Sequence, residues 1–485
     1  MSVEKQANLV VKNTLSRELE KFVPINPPEV GMYTCGPTVY SRAHTGNLRA
    51  YINADTDKRV LRYLGFKVKH VMNITDVGHL TSDADSGEDK LQKSARKEGV
   101  SAWEISKRYT DIFFKDLQRI NVIVPDVVCK ATEYIPEQIE LVKKLEEKGF
   151  TYKTPDGIYF DTSKLMDYGK LARLSIRGLR AGNRIDMGFK LNPTDFALWK
   201  FSPKDEKRDM EWESPWGTGF PGWHIECSAM SMKHLGEQFD LHTGGIDHIP
   251  IHHTNEIAQS ESATGKKPFV KYWLHSEFLI SEKGVKMSKS LGNVVDLDTL
   301  ANLGVEPLAF RYFCISANYG SKLQIGDNAL KGAQSSYESL KDSIINLKNN
   351  PNNRINLEDN QAEFSEIALQ YIKEFKAAIA NNINTPMGLA VLHNMLKDSN
   401  LSNTEKYLLA CDFDSVFGLG IKDMAVSTSS KETIPEEIVN LANQRKFLRD
   451  SKQWADSDTI RNKVCEMGYE IKDTPAGYVI SKIKS

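Results

Sequence analysis

The chain has 485 residues, of which 40% are hydrophobic and 26% charged, and its formal net charge is -1 at pH 7. This length allows about two to four domains, and the composition is typical of a soluble globular protein. The charge balance excludes a strongly basic protein, so any nucleic-acid surface must be a local cluster of Lys and Arg. Six cysteines in so long a chain exclude a disulfide scaffold.

The first residues, MSVEKQANLV, lack a basic segment followed by an apolar core. The chain also lacks a run of about 18 apolar residues, which a membrane span would need. We therefore expect no signal peptide and no membrane contact, and we predict a cytoplasmic protein with free or metal-bound thiols.

The pattern of residues 31–75 predicts a strand, then a helix, then a second strand. Strands are expected at 31–35 and 67–75, with apolar residues at helical spacing over 47–64 between them. This order predicts a parallel βαβ unit. Further predicted elements are helices at about 101–120 and 136–148, a hairpin in TYKTPDGIYF (151–160), a helix over 223–235, a strand over 239–242 and a helix over 252–263.

From about residue 296 onwards the pattern is almost wholly helical, and its leucine spacing favours a helical bundle. The polar, Ser/Thr-rich segment 422–433 is typical of a linker. Residues 435–485 combine a charged helical stretch with an extended tail. The helices predicted for the bundle are 326–348, 361–382, 386–397 and 404–415.

Two short motifs lie about 240 residues apart. His44-Thr45-Gly46-Asn47 opens the first predicted helix, and Lys286-Met287-Ser288-Lys289-Ser290 lies in a basic loop flanked by Gly284 and Gly292. Each alone could be ordinary, the first a helix entry and the second a solvated basic loop. In this order and context, they resemble the two ATP-binding signatures of class I aminoacyl-tRNA synthetases.

Four other residues could bind a metal. Cys35 ends the first strand, Cys227 lies in a predicted helix, and His252 and Glu256 share one helix face because they are four residues apart. Two thiolates, an imidazole and a carboxylate are a plausible zinc set. Spacing alone leaves open two ordinary explanations, a small buried cysteine and a solvent-facing His–Glu pair.

The sequence segments around these residues resemble those of one family. The segments YTCGPTVY, GWHIECSAM and HHTNEIAQS are similar to the zinc-ligand segments of cysteinyl-tRNA synthetases. The segments RKFLRDSKQWADSDTIRNKV and GYEIKDTPAGY are similar to their C-terminal anticodon-binding unit. The resemblance covers nearly the entire chain and is weakest in the middle of the helical bundle.

The resemblance implies a fold and a set of domain boundaries. The fold would be α/β, with a class I Rossmann-like catalytic domain that carries an insertion. An all-α bundle and a small C-terminal anticodon-binding unit would follow. The implied boundaries are 1–275 for the catalytic domain with an insertion at approximately 130–200, 276–325 for a connecting module, 326–420 for the bundle and 435–485 for the last unit.

The resemblance also implies a reaction. L-cysteine would react with ATP, bound as its Mg²⁺ complex, to give cysteinyl-adenylate and pyrophosphate, and the cysteine would then pass to the 3′ end of tRNA(Cys). One zinc ion per chain, on Cys35, Cys227, His252 and Glu256, would bind the substrate thiolate and so select against serine, because an apolar pocket rejects such an isostere by only about 10²-fold. A monomer is the family expectation.

Site residues follow by position. His44, Asn47, Lys286 and Lys289 would be catalytic, and 44–47 with 286–290 would bind ATP. A helix N-terminus presents free N–H groups to phosphate, and two lysines stabilise the leaving pyrophosphate. The alternatives are that Trp223 is a core residue and that His242 is a strand-end histidine with its hydrogen bonds satisfied. The implied substrate pocket comprises Gly36, Thr38, Thr75, Trp223, His242 and Asp247.

The chain departs from the family pattern at several positions. Asn47 replaces a second histidine, and Thr243 and Thr254 replace a glycine and an acidic residue. We interpret the histidines 79, 248 and 253 as neutral neighbours of the site and not as ligands.

The last unit carries a basic cluster around Trp454. Arg449, Trp454 and Asp458 are the predicted anticodon contacts, because unpaired bases stack on aromatic rings and are read at their edges. The alternative is an amphipathic helix with a core tryptophan and solvated charges. The other basic residues of the cluster are Arg445, Lys446, Lys452 and Arg461.

Two other functions stay open. One is a ligase that activates cysteine in the same way but transfers it to an amino-sugar amine, as relatives of the mycothiol pathway do. Those relatives lack the terminal unit, so residues 435–485 argue against it. The other is a catalytically silent tRNA-binding paralogue, against which the intact His44, Lys289 and the four metal candidates argue.

Overall fold

The computed structural model of the chain describes residues 8–79, 89–174, 188–203, 208–281, 284, 295–349, 364–425, 435–451, 453–474 and 477–482. The chain divides into two compact units, one up to Met424 and one from Ala425 onwards. No helix within these described ranges is long and apolar enough to cross a membrane. The finer domain boundaries predicted from the sequence stay predictions.

The strands of the first unit are, in chain order, β1 (Val10–Lys12), β2 (Leu19–Lys21), β3 (Glu29–Thr34), β4 (Lys67–Ile74), β5 (Val127–Lys130), β6 (Thr151–Thr154), β7 (Gly157–Phe160), β8 (Phe196–Phe201), β9 (Gly219–Pro221), β10 (Phe239–Gly245), β11 (Val270–Ser276), β12 (Leu279–Ser281) and β13 (Leu323–Ile325). Its helices are α1 (Thr45–Tyr63), α2 (Lys90–Glu98), α3 (Ala102–Arg119), α4 (Ile135–Glu147), α5 (Ile225–Leu235), α6 (His252–Thr264), α7 (Leu297–Asn302), α8 (Pro307–Ile315), α9 (Asp327–Asn349), α10 (Glu366–Ala380), α11 (Thr385–Lys397) and α12 (Asn403–Phe417).

A five-stranded parallel sheet in the order β11-β10-β3-β4-β5 forms the centre of the first unit. The predicted βαβ unit is confirmed, since β3 and β4 pair in parallel on either side of α1, with Glu29 opposite Lys67 and Thr34 opposite Met72. In such a sheet the carboxyl ends of all strands meet at one edge, where open α/β folds bind ligands.

Apolar layers cover both faces of this sheet. One layer joins Leu48 and Ile52 of α1 to Phe310 and Phe413 of the helices that follow residue 296. The other contains Tyr33, Phe239 and Trp273 of the sheet together with Cys35 and Cys227. Both predicted metal thiols therefore lie in the second layer, between the sheet and α5.

Helix α1 also buries charge. The Asp55 carboxylate contacts the Arg59 Nε at 2.7 Å and the Arg311 Nη2 at 2.5 Å. Arg311 donates further to the carbonyls of Phe417 and Ile120 at 2.5 and 3.0 Å. A buried charge without a partner costs several kcal/mol, so this network holds α1, α8 and the end of α12 in one arrangement.

The insertion forms a separate antiparallel sheet in the order β6-β7-β8-β9. The predicted hairpin is confirmed, with Thr151 opposite Phe160 and Thr154 opposite Gly157. The sheet continues to Pro221, beyond the predicted end of the insertion at about residue 200.

The helical bundle contains α9 to α12 at nearly the predicted positions. The expectation of an almost wholly helical region after residue 296 was wrong at Leu323–Ile325, which pairs in parallel with β12. Helix α10 begins at Glu366, five residues later than predicted, because Ser365 caps it with a 3.2 Å bond from the Ala368 N–H. Residues 361–363 of that prediction lie outside the described part.

The second unit comprises α13 (Glu436–Asp450), α14 (Trp454–Glu466), β14 (Tyr469–Thr474) and β15 (Gly477–Lys482). Its apolar core contains Ile438, Ala442, Val464 and Ile471. The predicted extended tail is an antiparallel hairpin.

Asp57 of α1 gives the first testable prediction. Its side chain is buried, and Oδ1 has no hydrogen-bond partner among the described residues. Burial, with a smaller effect of the neighbouring Asp55 charge, raises the pKa of Asp57 to about 8. The folded state therefore keeps a proton that the unfolded chain, with an Asp pKa near 4, loses as the pH rises. The free energy of unfolding should fall between about pH 4 and pH 8.

We expect Asp57→Asn to remove this pH dependence, because the amide stays neutral. Between pH 5 and pH 8 the wild type should lose on the order of 3 kcal/mol more unfolding free energy than the variant, as measured by urea denaturation. The exposed Asp111 of α3 provides the control Asp111→Asn, which should keep the wild-type dependence. Equal pH profiles for the wild type and Asp57→Asn would contradict the prediction.

Candidate active site

A cavity of about 400 Å³ lies at the carboxyl edge of the parallel sheet. Its walls come from the ends of β3, β4, β10 and β11 and from the starts of α1, α2 and α6. Of the predicted site residues, those that line it are Cys35, Gly36, Thr38, His44, Gly46, Asn47, Thr75, Trp223, Cys227, Asp247 and His252.

The four predicted metal ligands lie together in the structure. One donor atom from each of Cys35, Cys227, His252 and Glu256 lies within 4.8 Å of the others, and all four residues are buried. The Glu256 Oε1 is 3.0 Å from the His252 Nε2 and 3.9 Å from the Cys35 Sγ. These separations are compatible with one shared ion.

A second group of donors overlaps the first. It keeps Cys35 and Glu256 but replaces the other two residues with His242 and His253. The His253 Nε2 is 3.3 Å from the Cys35 Sγ, and the His242 Nε2 is 3.1 Å from the Glu256 Oε2. The sequence did not single out His253 as a ligand.

The two groups differ in their access to the cavity. Cys227 and His252 belong to its wall. His242 and His253 are fully buried, and neither is among the described residues that line the cavity. The His242 ring stacks on Trp273 at 4.6 Å, and the His253 Nδ1 contacts the His275 Nε2 at 2.7 Å. His242, predicted in the substrate pocket, therefore lies behind its wall.

The ionisable side chains of the cluster shift the pKa values of one another. Burial alone would raise the pKa of Glu256, but His242 and His252 hold it well below its usual range. Against the effect of burial, Cys227 and Glu256 raise the pKa of His252 to about 10. A hydrogen bond from Cys35 lowers the pKa of Cys227 against burial, whereas burial raises that of Cys35. The Glu256 carboxylate therefore stays ionised, and a cation at the centre of the cluster would take the place of the proton that His252 holds.

Neighbouring side chains hold the cluster in place. The His252 Nδ1 contacts the His224 Nδ1 at 3.0 Å, so the Nε2 atom faces Glu256. The Trp223 ring lies over the His252 ring with centroids 4.5 Å apart. Such outer contacts orient metal-binding imidazoles.

Thr75 belongs to a buried chain of polar contacts. The Asn73 Nδ2 donates to the Thr75 Oγ1 at 3.0 Å, and Thr75 donates to the Glu226 Oε2 at 3.2 Å. The other Glu226 oxygen lies 2.7 Å from the His79 Nε2. The sequence analysis missed Asn73 and Glu226. The two-residue period of β4 could have placed Asn73 on the same face as Thr75.

Glycines bring the backbone close to the cavity. A Cβ atom on Gly36 would lie 1.5 Å from the Asn73 carbonyl oxygen, so no other residue fits there without movement of the strands. A Cβ on Gly244 would lie 2.7 Å from the His253 ring. The Gly36 N–H also donates to the Asn73 Oδ1 at 2.8 Å.

The motif at residues 44–47 forms the N-terminus of α1. The His44 Nδ1 accepts from the Asn47 N–H, and the Asn47 Oδ1 accepts from the His44 N–H, both at 3.3 Å. This reciprocal pair is a capping box. Asn47 thus fixes the orientation of the His44 ring.

The segment before His44 is also fixed. Arg42 makes two parallel 2.8 Å bonds to the Asp116 carboxylate and pairs with Asp298 of α7. The Thr45 N–H donates to the Val295 carbonyl at 2.8 Å. The start of α1 is therefore tied to the segment that leads into α7. The motif Lys286 to Ser290 lies outside the described residues.

The terminal unit exposes its aromatic candidate. The Trp454 side chain is 54% exposed, which excludes the core alternative, and the Arg449 guanidinium lies 5.4 Å from its ring centre. Asp458 and Arg461 are exposed on the same helix at four and seven residues from Trp454, hence on its face. Arg445 is buried, unlike the rest of the predicted basic cluster that the structure describes.

Comparisons with known proteins agree with this architecture. A family model described as tRNA synthetases class I (C) catalytic domain matches residues 21–335. The chain is 45% identical to cysteine–tRNA ligase 1 of Burkholderia lata over 97% of this chain and 96% of that protein. It is 42% identical to the cysteine–tRNA ligase of Treponema denticola over 96% and 98%.

Among solved structures, the chain resembles Mycobacterium tuberculosis methionyl-tRNA synthetase in complex with methionyl-adenylate, with a TM-score of 0.58 at 16% identity. The match covers 82% of this chain and 93% of that one. The predicted α/β class I architecture with a helical C-terminal region is confirmed. The chain belongs to the cysteinyl-tRNA synthetase family of the class I aminoacyl-tRNA synthetases.

Proposed function

We propose that the chain is a cysteine–tRNA ligase, which activates L-cysteine with ATP and transfers the cysteinyl group to the 3′ end of tRNA(Cys). One observation carries this proposal: a buried set of two thiols, an imidazole and a carboxylate reaches, through Cys35, Cys227 and His252, the cavity that the N-terminus of α1 also lines. A thiol-binding centre thus lies beside a helix end suited to phosphate.

The ion in this proposal is zinc, held by Cys35, Cys227, His252 and Glu256. Sulfur, nitrogen and oxygen donors in a four-residue set suit Zn²⁺. Access favours this group over the one with His242 and His253, because Cys227 and His252 reach the cavity. When bound, the ion would supply a soft Lewis acid that favours the thiolate of cysteine over the hydroxyl of serine.

Activation would take place between the metal cluster and the start of α1. The cysteine carboxylate attacks the α-phosphorus of ATP, and the bond to the pyrophosphate oxygen breaks. The N-terminal dipole of α1 and the oriented His44 ring would bind phosphate oxygens there. A Cβ atom on Gly46 would lie 3.0 Å from atoms of the His44 ring. The absence of a side chain at Gly46 therefore leaves room for phosphate oxygens to approach this ring and the helix end.

Lys286 and Lys289, with ATP as its Mg²⁺ complex, complete the proposed nucleotide site. Their charges would stabilise the departing pyrophosphate. Thr38, Thr75, Trp223 and Asp247 would shape the amino-acid and adenylate pocket, which they line. The assembled cysteinyl-adenylate is already activated, so orientation of the terminal ribose can carry the transfer step.

The last unit would read the anticodon through Arg449, Trp454 and Asp458. An exposed indole ring under a guanidinium offers a stacking surface for an unpaired base, and the carboxylate can accept from a base amino group. The proposal further includes a monomeric enzyme in the cytoplasm, with the domain boundaries given above.

The reaction itself gives the second prediction. The purified chain should catalyse cysteine-dependent ATP–pyrophosphate exchange and should charge tRNA(Cys) with labelled cysteine. Serine should be discriminated against by more than the roughly 10²-fold that an apolar pocket achieves. Exchange without charging would favour the amino-sugar acceptor, and absence of both activities would favour the silent paralogue.

The metal site gives the third prediction. The isolated wild type should carry one zinc ion per chain by elemental analysis, and Cys227→Ser should lose the ion together with cysteine activation. Cys411→Ser, which changes a half-buried thiol of α12, should retain both. Loss of zinc from His253→Gln, with zinc retained in Cys227→Ser, would instead assign the ion to the second donor group.

The anticodon surface gives the fourth prediction. Trp454→Ala should raise the KM for tRNA(Cys) about 5- to 150-fold, since stacking of one base on an aromatic ring contributes about 1 to 3 kcal/mol. Pyrophosphate exchange should not change. Met467→Ala removes another exposed apolar side chain at the end of the same helix and should have no effect. Equal losses in the two variants would contradict anticodon stacking on Trp454.

A further inference from the structure

The cavity contains a lysine that the sequence analysis did not single out. Lys90, the first residue of α2, lines the cavity together with Tyr40, and its Nζ lies 5.9 Å from the centre of the Tyr40 ring. Among the lining residues in the described ranges, Lys90 is the only lysine or arginine. Its side chain is therefore the one ammonium group among these lining residues.

The backbone of Lys90 is held firmly. Its N–H donates to the His79 carbonyl at 2.9 Å, which ties it to the segment that continues β4 past Thr75. The preceding Asp89 caps α2 by accepting from the N–H groups of Leu91 and Gln92 at 2.8 and 3.1 Å.

A buried ion pair locks this cap. Arg208 pairs with the Asp89 carboxylate and donates to the Gly78 carbonyl at 2.9 Å, and both side chains of the pair are about 95% buried. Breaking such a pair is costly because it leaves an uncompensated buried charge. The base of the Lys90 side chain is thus fixed at the cavity wall, unlike that of a lysine on a solvated helix face.

The proposed reaction places two anions in this cavity. The amino-acid carboxylate must approach the α-phosphate of ATP, and a preorganised cation lowers the electrostatic cost of that approach. We propose that Lys90 is a further catalytic residue, whose ammonium group contacts an anionic oxygen of the reacting pair. This inference rests on the proposed function.

The step itself needs no proton from Lys90. A carboxylate oxygen forms a bond to the α-phosphorus, the bond from that phosphorus to the bridging oxygen breaks, and pyrophosphate leaves with the electron pair. The contacted oxygen belongs either to the carboxylate or to the α-phosphate. In either case the positive charge of Lys90 would stabilise a negatively charged oxygen.

Lys90→Met tests the proposal, with Lys93→Met as the matched control on the same helix. Lys93 is exposed and does not line the cavity. In cysteine-dependent ATP–pyrophosphate exchange, Lys90→Met should lower kcat/KM about 10- to 100-fold, the range of one lost charge-assisted hydrogen bond. Lys93→Met should stay within about twofold of the wild type, and Lys90→Arg should recover part of the loss because it retains the charge.

Two further measurements distinguish the two oxygens. If Lys90 contacts the carboxylate, Lys90→Met should raise the KM for cysteine but leave binding of cysteamine, which lacks a carboxylate, unchanged. If it contacts the α-phosphate, the loss should fall on the KM for ATP or on kcat. Thermal unfolding of each variant reports whether the fold is intact.

Wild-type exchange rates in both Lys90→Met and Lys90→Arg would overturn the inference and leave the proposed function standing. A defect confined to transfer onto tRNA would also overturn it, because Lys90 would then act outside activation. A wild type without any exchange would overturn the inference and the proposed function together.

Discussion

The architecture of the site depends on one constraint, the burial of ionisable groups at the carboxyl edge of a parallel sheet. Glu256 is fully buried and His252 nearly so, and their charges are therefore balanced by each other and by contacts with Cys35, Cys227 and His242. That requirement fixes α6 against β3 and β10. The carboxylate could not stay ionised in this layer if any of these elements moved away.

The same edge is narrow because backbones approach closely. Gly36 and Gly244 allow strand ends and imidazole rings to occupy space that any side chain would fill. The cavity therefore has closely packed metal-binding candidates on one side and closely packed backbone at Gly36 and Gly244. The side of the cavity at the start of α1 is built differently, from a helix end whose first turn is closed by His44 and Asn47 and is bonded to Val295.

Local patterns predicted much of this fold, because they carry their own physics. The period of residues 47–64 predicted α1, and the Pro155-Asp156-Gly157 turn predicted the insertion hairpin. The four metal candidates were predicted as a set from their donor types and from the resemblance of the surrounding segments to one family. The structure places them together. Pairings between distant segments were not predictable. Among the described residues, the strand at Leu323 pairs only with β12, to which no local pattern points. Lys90 is held at the cavity by its own bond to the His79 carbonyl and by the pair between Asp89 and Arg208. The Trp454 pattern alone fitted both a core and an exposed residue, and only burial distinguished them.

The Asp55–Arg311 contact joins residues 256 positions apart in the chain. Arg311 also donates to the carbonyls of Phe417 and Ile120. If the helical bundle separated from the sheet, the buried charges of Asp55 and Arg311 would therefore lose their partners. The part of the chain that forms the parallel sheet is thus not a self-sufficient module to which a bundle has been appended. Residues up to Met424 should melt in one cooperative transition, and a truncation before α8 would leave α1 without the partners that keep its polar face folded.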